Sequence, residues 1–507
     1  MNDLLPYIPE HLNNIRQSLV FFMPEIGLSL LFILVFVTDL LFGKNSGWMC
    51  RGIAIAGLII VLYQCLWQFV LLNDGTLLKN NAQYIFGGML FVDRTAVIFK
   101  LILDVCAICV LLYIPWDKAL RSHFKGLSDL YSIIIASLLG LHLMVMAVNL
   151  LSIYISIEMV SIASYLMVAY RSDTQGTTEA GMKYVLFGAV SSAIMLYGIS
   201  LLYGFGGSLN LQSDAFIHNL TLVNPVSVSL AIVLVMVGIG FKLSFVPMHF
   251  WVPDVYQGAA TPVTAYLSTL PKVAGFALLI NFLTPFIFNS QFNAIDFRLF
   301  LSVVGIVTMI VGNLAALWQT NIKRLLAYSS IGHTGFALMT LATFSQQGIS
   351  ALLFYLAVYA IANIGALMLS SYYVNRIGAH DLDSYKGAGL RYPLPSVCFV
   401  IILISLAGLP VSAGFNGKVL VFSSVYKIYD QNHNTWLLAL MITGAATTII
   451  SLFYYIKIPL YLFLKKNEHH VDDLYITHRY LLIFVCLISF FLLATGLFPQ
   501  MLNIFLN

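Results

Sequence analysis

The chain has 507 residues, 60% of them hydrophobic and only 9% Asp, Glu, Lys or Arg. Water-soluble domains carry about 25% charged residues, so the composition excludes a soluble enzyme. A net charge of +4, dispersed along the sequence, excludes a nucleic-acid-binding surface. At about 20 apolar residues per span, the length accommodates an all-α polytopic membrane protein of about fourteen helices.

Apolar segments separated by Pro, Gly, Asn or charge clusters predict those helices. They run over residues 21–41, 52–72, 91–114, 130–148, 150–170, 182–205, 225–250, 260–285, 297–318, 324–343, 349–373, 394–423, 436–463 and 480–500. The residues through Arg16 lack the basic flank and short apolar core of a cleavable signal peptide, so the first span is expected to be permanent. The loop at 148–150 is so short that the fourth and fifth spans form an antiparallel hairpin. No segment between spans is long enough to fold in water, and residues 1–507 read as a single membrane domain. No GxGxxG or P-loop pattern marks a nucleotide or flavin site. Cys50, Cys65, Cys106, Cys109, Cys398 and Cys486 lie mostly in apolar runs without zinc spacing, and read as structural thiols.

Orientation follows from the short loops. Those after odd-numbered spans hold Lys44, Arg51, Lys118, Arg121, Lys125, Arg171, Lys323, Arg324, Arg376, Lys386, Arg391, Lys465, Lys466 and Arg479. The opposite side has only Arg16, Lys79, Arg298 and Lys427, with Arg94 at a span edge. The odd loops are therefore expected in the cytoplasm and both termini on the periplasmic side, or in the equivalent outside compartment.

Ionisable residues in mid-span carry the functional signal. Glu158, Lys242, Lys272 and Lys418 each cost about 2.5–3.5 kcal/mol at a bilayer centre, with His333 alongside them. Lys outnumbers Glu in this set, so mutual neutralisation is impossible. A desolvated Lys gives up its charge readily and can then accept a proton, which suits a proton relay. Lys242 lies in Val237-Gly-Ile-Gly-Phe-Lys-Leu-Ser-Phe-Val-Pro247, and Lys418 follows Gly408, Pro410, Gly414 and Gly417. Both spans should break at mid-membrane, since Pro removes a donor and clashes with the preceding turn. Broken spans in corresponding positions mark transport sites.

Lys242 and Lys418 are 176 residues apart, and the same offset carries Glu158 to Thr334, beside His333. Helices four to eight (130–285) thus correspond to helices nine to thirteen (297–463). Five spans per unit make the second copy inverted in the membrane. Residues 1–129 supply three accessory helices and 464–507 the fourteenth. Lys100 and Asp104, i and i+4, are expected to neutralise each other. Glu25 and Asp39, at opposite ends of the first span, are expected to meet headgroups or a neighbouring subunit. Lys183 either snorkels to the interface or takes part in proton entry. His469, His470, Asp472 and Asp473 read as a solvated loop.

Gly238-Ile-Gly-Phe-Lys-Leu-Ser-Phe-Val-Pro-Met-His-Phe-Trp-Val-Pro-Asp-Val-Tyr-Gln-Gly258 closely resembles the signature of the antiporter-like subunits of respiratory complex I. So do Asn321-Ile-Lys-Arg-Leu-Leu-Ala-Tyr-Ser-Ser-Ile-Gly-His-Thr-Gly335 and the Lys418 segment. The resemblance runs from Glu25 to the last span. Within the family, Pro253-Asp-Val-Tyr-Gln-Gly258 looks like the N-type branch. A Lys in the broken twelfth span sets the chain apart from the M-type, and the absence of a long amphipathic helix after the fourteenth span sets it apart from the L-type. By resemblance Glu158, Lys242, Lys272, His333 and Lys418 are the family's proton-relay residues in spans five, seven, eight, ten and twelve. Asn416 departs from the apolar residue or Gly expected there.

The resemblance implies a proton-pumping subunit of a NADH:quinone oxidoreductase, beside M-type and K-type neighbours, with no redox centre of its own. NADH, flavin, iron–sulfur clusters and quinone are then handled by other subunits. A subunit of a multisubunit cation/proton antiporter, a ferredoxin-dependent relative of complex I and a purely structural membrane subunit are the competing readings.

Overall fold

A computed structural model describes residues 8–43, 46–73, 82–121, 126–171, 174–465 and 479–501. In chain order the helices are α1 (Ile8–Phe21), α2 (Met23–Phe42), α3 (Gly47–Asn73), α4 (Arg94–Tyr113), α5 (Lys118–Arg121), α6 (Ser128–Met146) and α7 (Leu150–Val168). They continue with α8 (Gln175–Gly206), α9 (Asp214–Thr221), α10 (Pro225–Leu243), α11 (Trp251–Gly258), α12 (Thr261–Ile287), α13 (Phe297–Leu317) and α14 (Ile322–Leu341). The last are α15 (Gln346–Ile377), α16 (Ala388–Arg391), α17 (Pro393–Ala407), α18 (Ala413–Asn432), α19 (Thr435–Pro459) and α20 (Arg479–Leu497). The His469–Asp473 loop lies outside the described residues.

Twelve helices among the described residues are long and apolar enough to cross a membrane. Of the two expected spans missing from that set, one is polar along one face and the other is split into shorter helices. α14 carries Lys323, Arg324, Ser329, Ser330, His333 and Thr334, and the twelfth span is split into α17 and α18. A short hairpin, β1 (Ala82–Ile85) and β2 (Leu90–Asp93), pairs antiparallel with Ala82 opposite Asp93. It takes the first residues of the expected third span. Asp93 ends the strand and caps α4, its carboxylate accepting from the Ala96 amide at 2.7 Å.

Caps set most of the helix starts. Asn149 and Ser152 form a reciprocal capping box that opens α7 three residues after α6 ends, which makes the fourth and fifth spans the expected hairpin. Ser345, Asp296 and Asn321 cap α15, α13 and α14 with side-chain oxygens that accept from first-turn amides. α13 and α14 approach so closely that a Cβ on Gly312 would lie 2.4 Å from the Gly332 amide nitrogen. Small residues at such crossings give membrane helices their packing contacts.

Loop contacts sort the two faces of the bundle. Lys118 N donates to Asn375, Thr177 to the Gly258 carbonyl, Lys323 to the Ala259 carbonyl, and Gly387 N to the Tyr461 carbonyl. All of these join loops that follow odd-numbered spans. On the other face Val148 N meets Met89 O, Asn149 pairs with Asn210, Ser229 reaches Ala294 and Arg298 reaches Ala342. Among the described residues, the loops after spans three, five, seven, nine, eleven and thirteen therefore share one face.

Both predicted breaks are present. α10 stops at Leu243, with Ser244 in the left-handed region at φ 58°, and the chain resumes as α11 at Trp251. α17 stops at Ala407, with Gly408 at φ 79°, and resumes as α18 at Ala413. The breaks differ in register. The first is made by Phe245–Pro247, after Lys242; the second is made by Gly408–Pro410, before Lys418. The equal spacing of the two lysines thus does not extend to the breaks themselves.

Candidate functional site

α14 runs beside the breaks, and its polar face gathers three of the predicted residues. Lys272, on α12, donates from Nζ to the Ser330 carbonyl at 2.9 Å, to Ser330 Oγ at 2.5 Å and to Thr334 Oγ1 at 3.1 Å. Thr334 Oγ1 in turn donates to the Leu243 carbonyl at 3.0 Å, an acceptor freed by the end of α10. One hydroxyl thus joins Lys272 to the residue that follows Lys242. Pro271, just before Lys272, cannot donate to the Leu267 carbonyl. That carbonyl accepts the Tyr256 hydroxyl at 3.2 Å, so α12 runs on through its proline.

His333, one turn from Ser330, has both ring nitrogens on phenols. Nδ1 lies 2.6 Å from Tyr355 Oη and Nε2 lies 3.0 Å from Tyr455 Oη, which also contacts Ser329 Oγ at 2.5 Å. A cavity of about 20 Å³ between α14, α18 and α19 is lined by His333, Tyr355, Lys418, Thr448, Ser451 and Tyr454, among others. It has room for one water, which needs about 10–15 Å³ and two or more polar partners. Across it Lys418 Nζ donates to the Ala407 carbonyl at 2.7 Å, reaches Thr448 Oγ1 at 3.5 Å and sits 5.5 Å above the Phe336 ring. Ala407 closes α17, so its carbonyl is again an orphan of a broken span. Gly408 makes this contact possible, since a Cβ there would fall 2.6 Å from Lys418 Cδ.

The remaining predicted residues stand apart. Lys242 is buried, and its Nζ has no hydrogen-bond partner; the same holds for Glu158 Oε1. No ion pair joins Glu158 to a lysine among the described residues, although Lys242 lies within its electrostatic range. Glu158 is half-buried, on a stripe of α7 shared with the exposed Leu151, Ile155, Ile162 and Leu166. Asn416 does not face Lys418. Its amide donates to the Thr495 and Gly496 carbonyls at 3.3 and 2.7 Å and ties α18 to the end of α20.

Two expectations for the accessory helices are corrected. Lys100 does not neutralise Asp104: its Nζ is 2.7 Å from Glu25 Oε1. Glu25 is not at a headgroup either, being fully enclosed with Lys100; Asp39 accepts from Ser46 Oγ at 2.7 Å. The pairing partner comes from a neighbouring helix because α2 delivers Glu25 to the same buried layer as Lys100. Lys183 binds Asp254 at 2.7 Å and Glu179 at 2.8 Å, while Arg324 holds the other Asp254 oxygen at 2.7 Å. All six cysteines are free thiols.

Sequence reasoning did not single out Ser330, Tyr355, Tyr455, Thr448 or Asp254. A signal existed for Ser330, because Ser329, Ser330, His333 and Thr334 recur at i, i+3 and i+4 within the mainly apolar stretch that follows Lys323 and Arg324. For the tyrosines and Thr448 the signal was missing, since each reaches the site from another helix, Tyr355 from the next one and Tyr455 from one 122 residues away.

The family described as NADH:quinone oxidoreductase/Mrp antiporter, TM, matches residues 147–451. The chain is similar to NADH-quinone oxidoreductase subunit N 2 of Chloroherpeton thalassium, 39% identical over 91% of this chain and 88% of that protein. It is similar to NADH-quinone oxidoreductase subunit N of Chlorobium chlorochromatii, 36% identical over 90% and 88%. Among solved structures it resembles a chain of respiratory complex I from Thermus thermophilus with bound aureothin. The TM-score there is 0.75 and the identity 28%, over 95% of this chain and 98% of that one.

Proposed function

The chain belongs to the NADH:quinone oxidoreductase/Mrp antiporter membrane family, and we propose that it is the proton-translocating N-type membrane subunit of a NADH:quinone oxidoreductase, moving protons along its lysine row. One observation carries the reading: α14 sets Lys272, bonded to Ser330 and Thr334, one turn from His333, which faces Lys418 across a water-sized cavity. Thr334 also ties Lys272 to the Leu243 carbonyl, next in the chain to Lys242. Lys272 and Lys418 each have neutral oxygen acceptors around the amine, whereas Lys242 Nζ is buried without one.

Glu158 is the input in this scheme. A carboxylate on the outward stripe of α7 is too costly to leave against lipid, so a neighbouring membrane subunit covers it, of K type on one side of the chain, with an M-type neighbour on the other. Charge movement in those neighbours draws Glu158 toward Lys242 or away from it. Loss of that attraction lets Lys242 release its proton toward Lys272, and His333 with its two phenols passes it to Lys418. The two broken spans belong to two inverted units, 130–285 and 297–463, within a set of fourteen spans whose tenth and twelfth members are α14 and the α17–α18 pair. NADH oxidation and quinone reduction belong to other subunits, with their flavin and iron–sulfur clusters. The membrane is the inner (plasma) membrane, with both termini on its periplasmic side.

The test is Glu158→Gln in the assembled complex. Assembly on native gels is expected to be unchanged, while proton uptake into vesicles falls. Full pumping in the assembled variant would reduce Glu158 to a structural role. Co-purification with flavin and iron–sulfur subunits separates this reading from a cation/proton antiporter; purification with antiporter subunits alone would overturn it.

A further inference from the structure

A second set of buried ionisable groups lies among α2, α3, α4 and α6, apart from the lysine row. Glu25 on α2, Lys100 and Asp104 on α4 and His142 on α6 all have fully enclosed side chains. Lys100 Nζ is 2.7 Å from Glu25 Oε1. His142 bridges the two acids, with Nδ1 at 3.1 Å from Glu25 Oε1 and Nε2 at 3.1 Å from Asp104 Oδ1. On α3, Gln68 Oε1 faces Lys100 at 3.5 Å, and the Cys65 thiol faces the same charges.

A neutral imidazole has one donor and one acceptor, whereas an ionised carboxylate is acceptor only. With both ring nitrogens against carboxylate oxygens, a neutral ring and two carboxylates would leave one acceptor pressed on another. The contact closes only if one more proton is present, on the ring or on the facing carboxyl. Charge gives the same answer. Glu25, Asp104 and Lys100 sum to −1 without that proton and, with it, the buried cluster is neutral. Uncompensated charge is far costlier in such a place than a satisfied pair. Glu25 Oε2 and Asp104 Oδ2 are buried without a hydrogen-bond partner, so each carboxylate has a second oxygen free to take or hand on a proton.

We propose that the Glu25–His142–Asp104 bridge, with Lys100 as its fixed counter-charge, is a second proton-binding site of this subunit, holding one proton that exchanges with water. Binding takes a proton from hydronium and leaves water. Release leaves His142 as a donor to one acid only and the cluster with one negative charge. The site does not depend on the lysine-row reading, because it shares no residue with it.

Infrared spectra of the assembled complex in native membranes, with ring-labelled histidine, test the assignment. The wild type minus His142→Gln difference should contain an imidazolium band, or the wild type minus Glu25→Gln or Asp104→Asn difference a protonated-carboxyl band. That band should fade as the pH is raised, while quinone reductase activity persists. If His142→Gln fails to assemble, the two carboxamide variants supply the same subtraction. Neither band at neutral pH, or a band unchanged until activity is lost, would overturn the proposal, the first by removing the extra proton and the second by showing that it does not exchange.

Discussion

Lys418 shows how a single side chain is placed by a broken helix. Its ammonium closes the orphan carbonyl of Ala407 and faces the cavity shared with His333. Lys418→Ala leaves that carbonyl unpaired and removes the titratable group of α18 beside the break, so pumping should be lost. Lys418→Arg keeps the charge but cannot release a proton, since guanidinium stays protonated above pH 12. Arg is therefore expected to behave like Ala in proton uptake by vesicles. An active Arg variant beside an unassembled Ala variant would mean that Lys418 only holds the helix end. Gly408→Ala tests the same contact from the other side. Alanine at positive φ costs more than the usual gain of about 1 kcal/mol from a stiffer chain, and its methyl displaces Lys418 Cδ. Lower yield of assembled complex and lower uptake per complex are expected.

α11 is a short helix that needs fastening. Its eight residues cannot hold themselves as an isolated helix, and a break separates it from α10. Two cations supply the fastening: Lys183 from α8 and Arg324 from α14 take the two oxygens of Asp254. Trp251 adds a bond from its indole N–H to the Phe241 carbonyl at 3.2 Å, across the break. Asp254→Asn removes the charge of the clamp but little volume. Because the three groups are about a third exposed, the loss should be about 1 kcal/mol. Amide exchange along α11 is expected to quicken about fivefold, the rate equivalent of that loss. Exchange at the wild-type rate would show that packing alone holds the helix.

The molecule as a whole sorts its loops by charge. Contacts among the basic loops fall on one face and contacts among the others on the opposite face, so one measurement orients everything. Asp383, whose side chain is 73% exposed, lies on the basic face, and the exposed Asn432 ends α18 on the other. Cysteine at 383 should react with an impermeant reagent only after cells are permeabilised, and cysteine at 432 in intact cells. The reverse pattern would invert the orientation of every span.

Composition and apolar run length were enough to determine a polytopic helical protein, because burial in lipid demands long apolar helices whatever their partners are. The breaks were equally legible, since Pro247 and the Gly408–Pro410 pair act locally on their own turns. Glu158, Lys242, Lys272, His333 and Lys418 stood out because charge in an apolar span is expensive wherever it lies. What each charge touches was decided by tertiary structure alone. Lys100 has an acid one turn away in Asp104, yet it pairs with Glu25 from another helix, and Asp104 turns to His142. The hydroxyls around Lys272, and the phenols and Thr448 around His333 and Lys418, come from helices up to 122 residues away. Helical period reports which face a residue occupies, but only packing brings a second helix to that face.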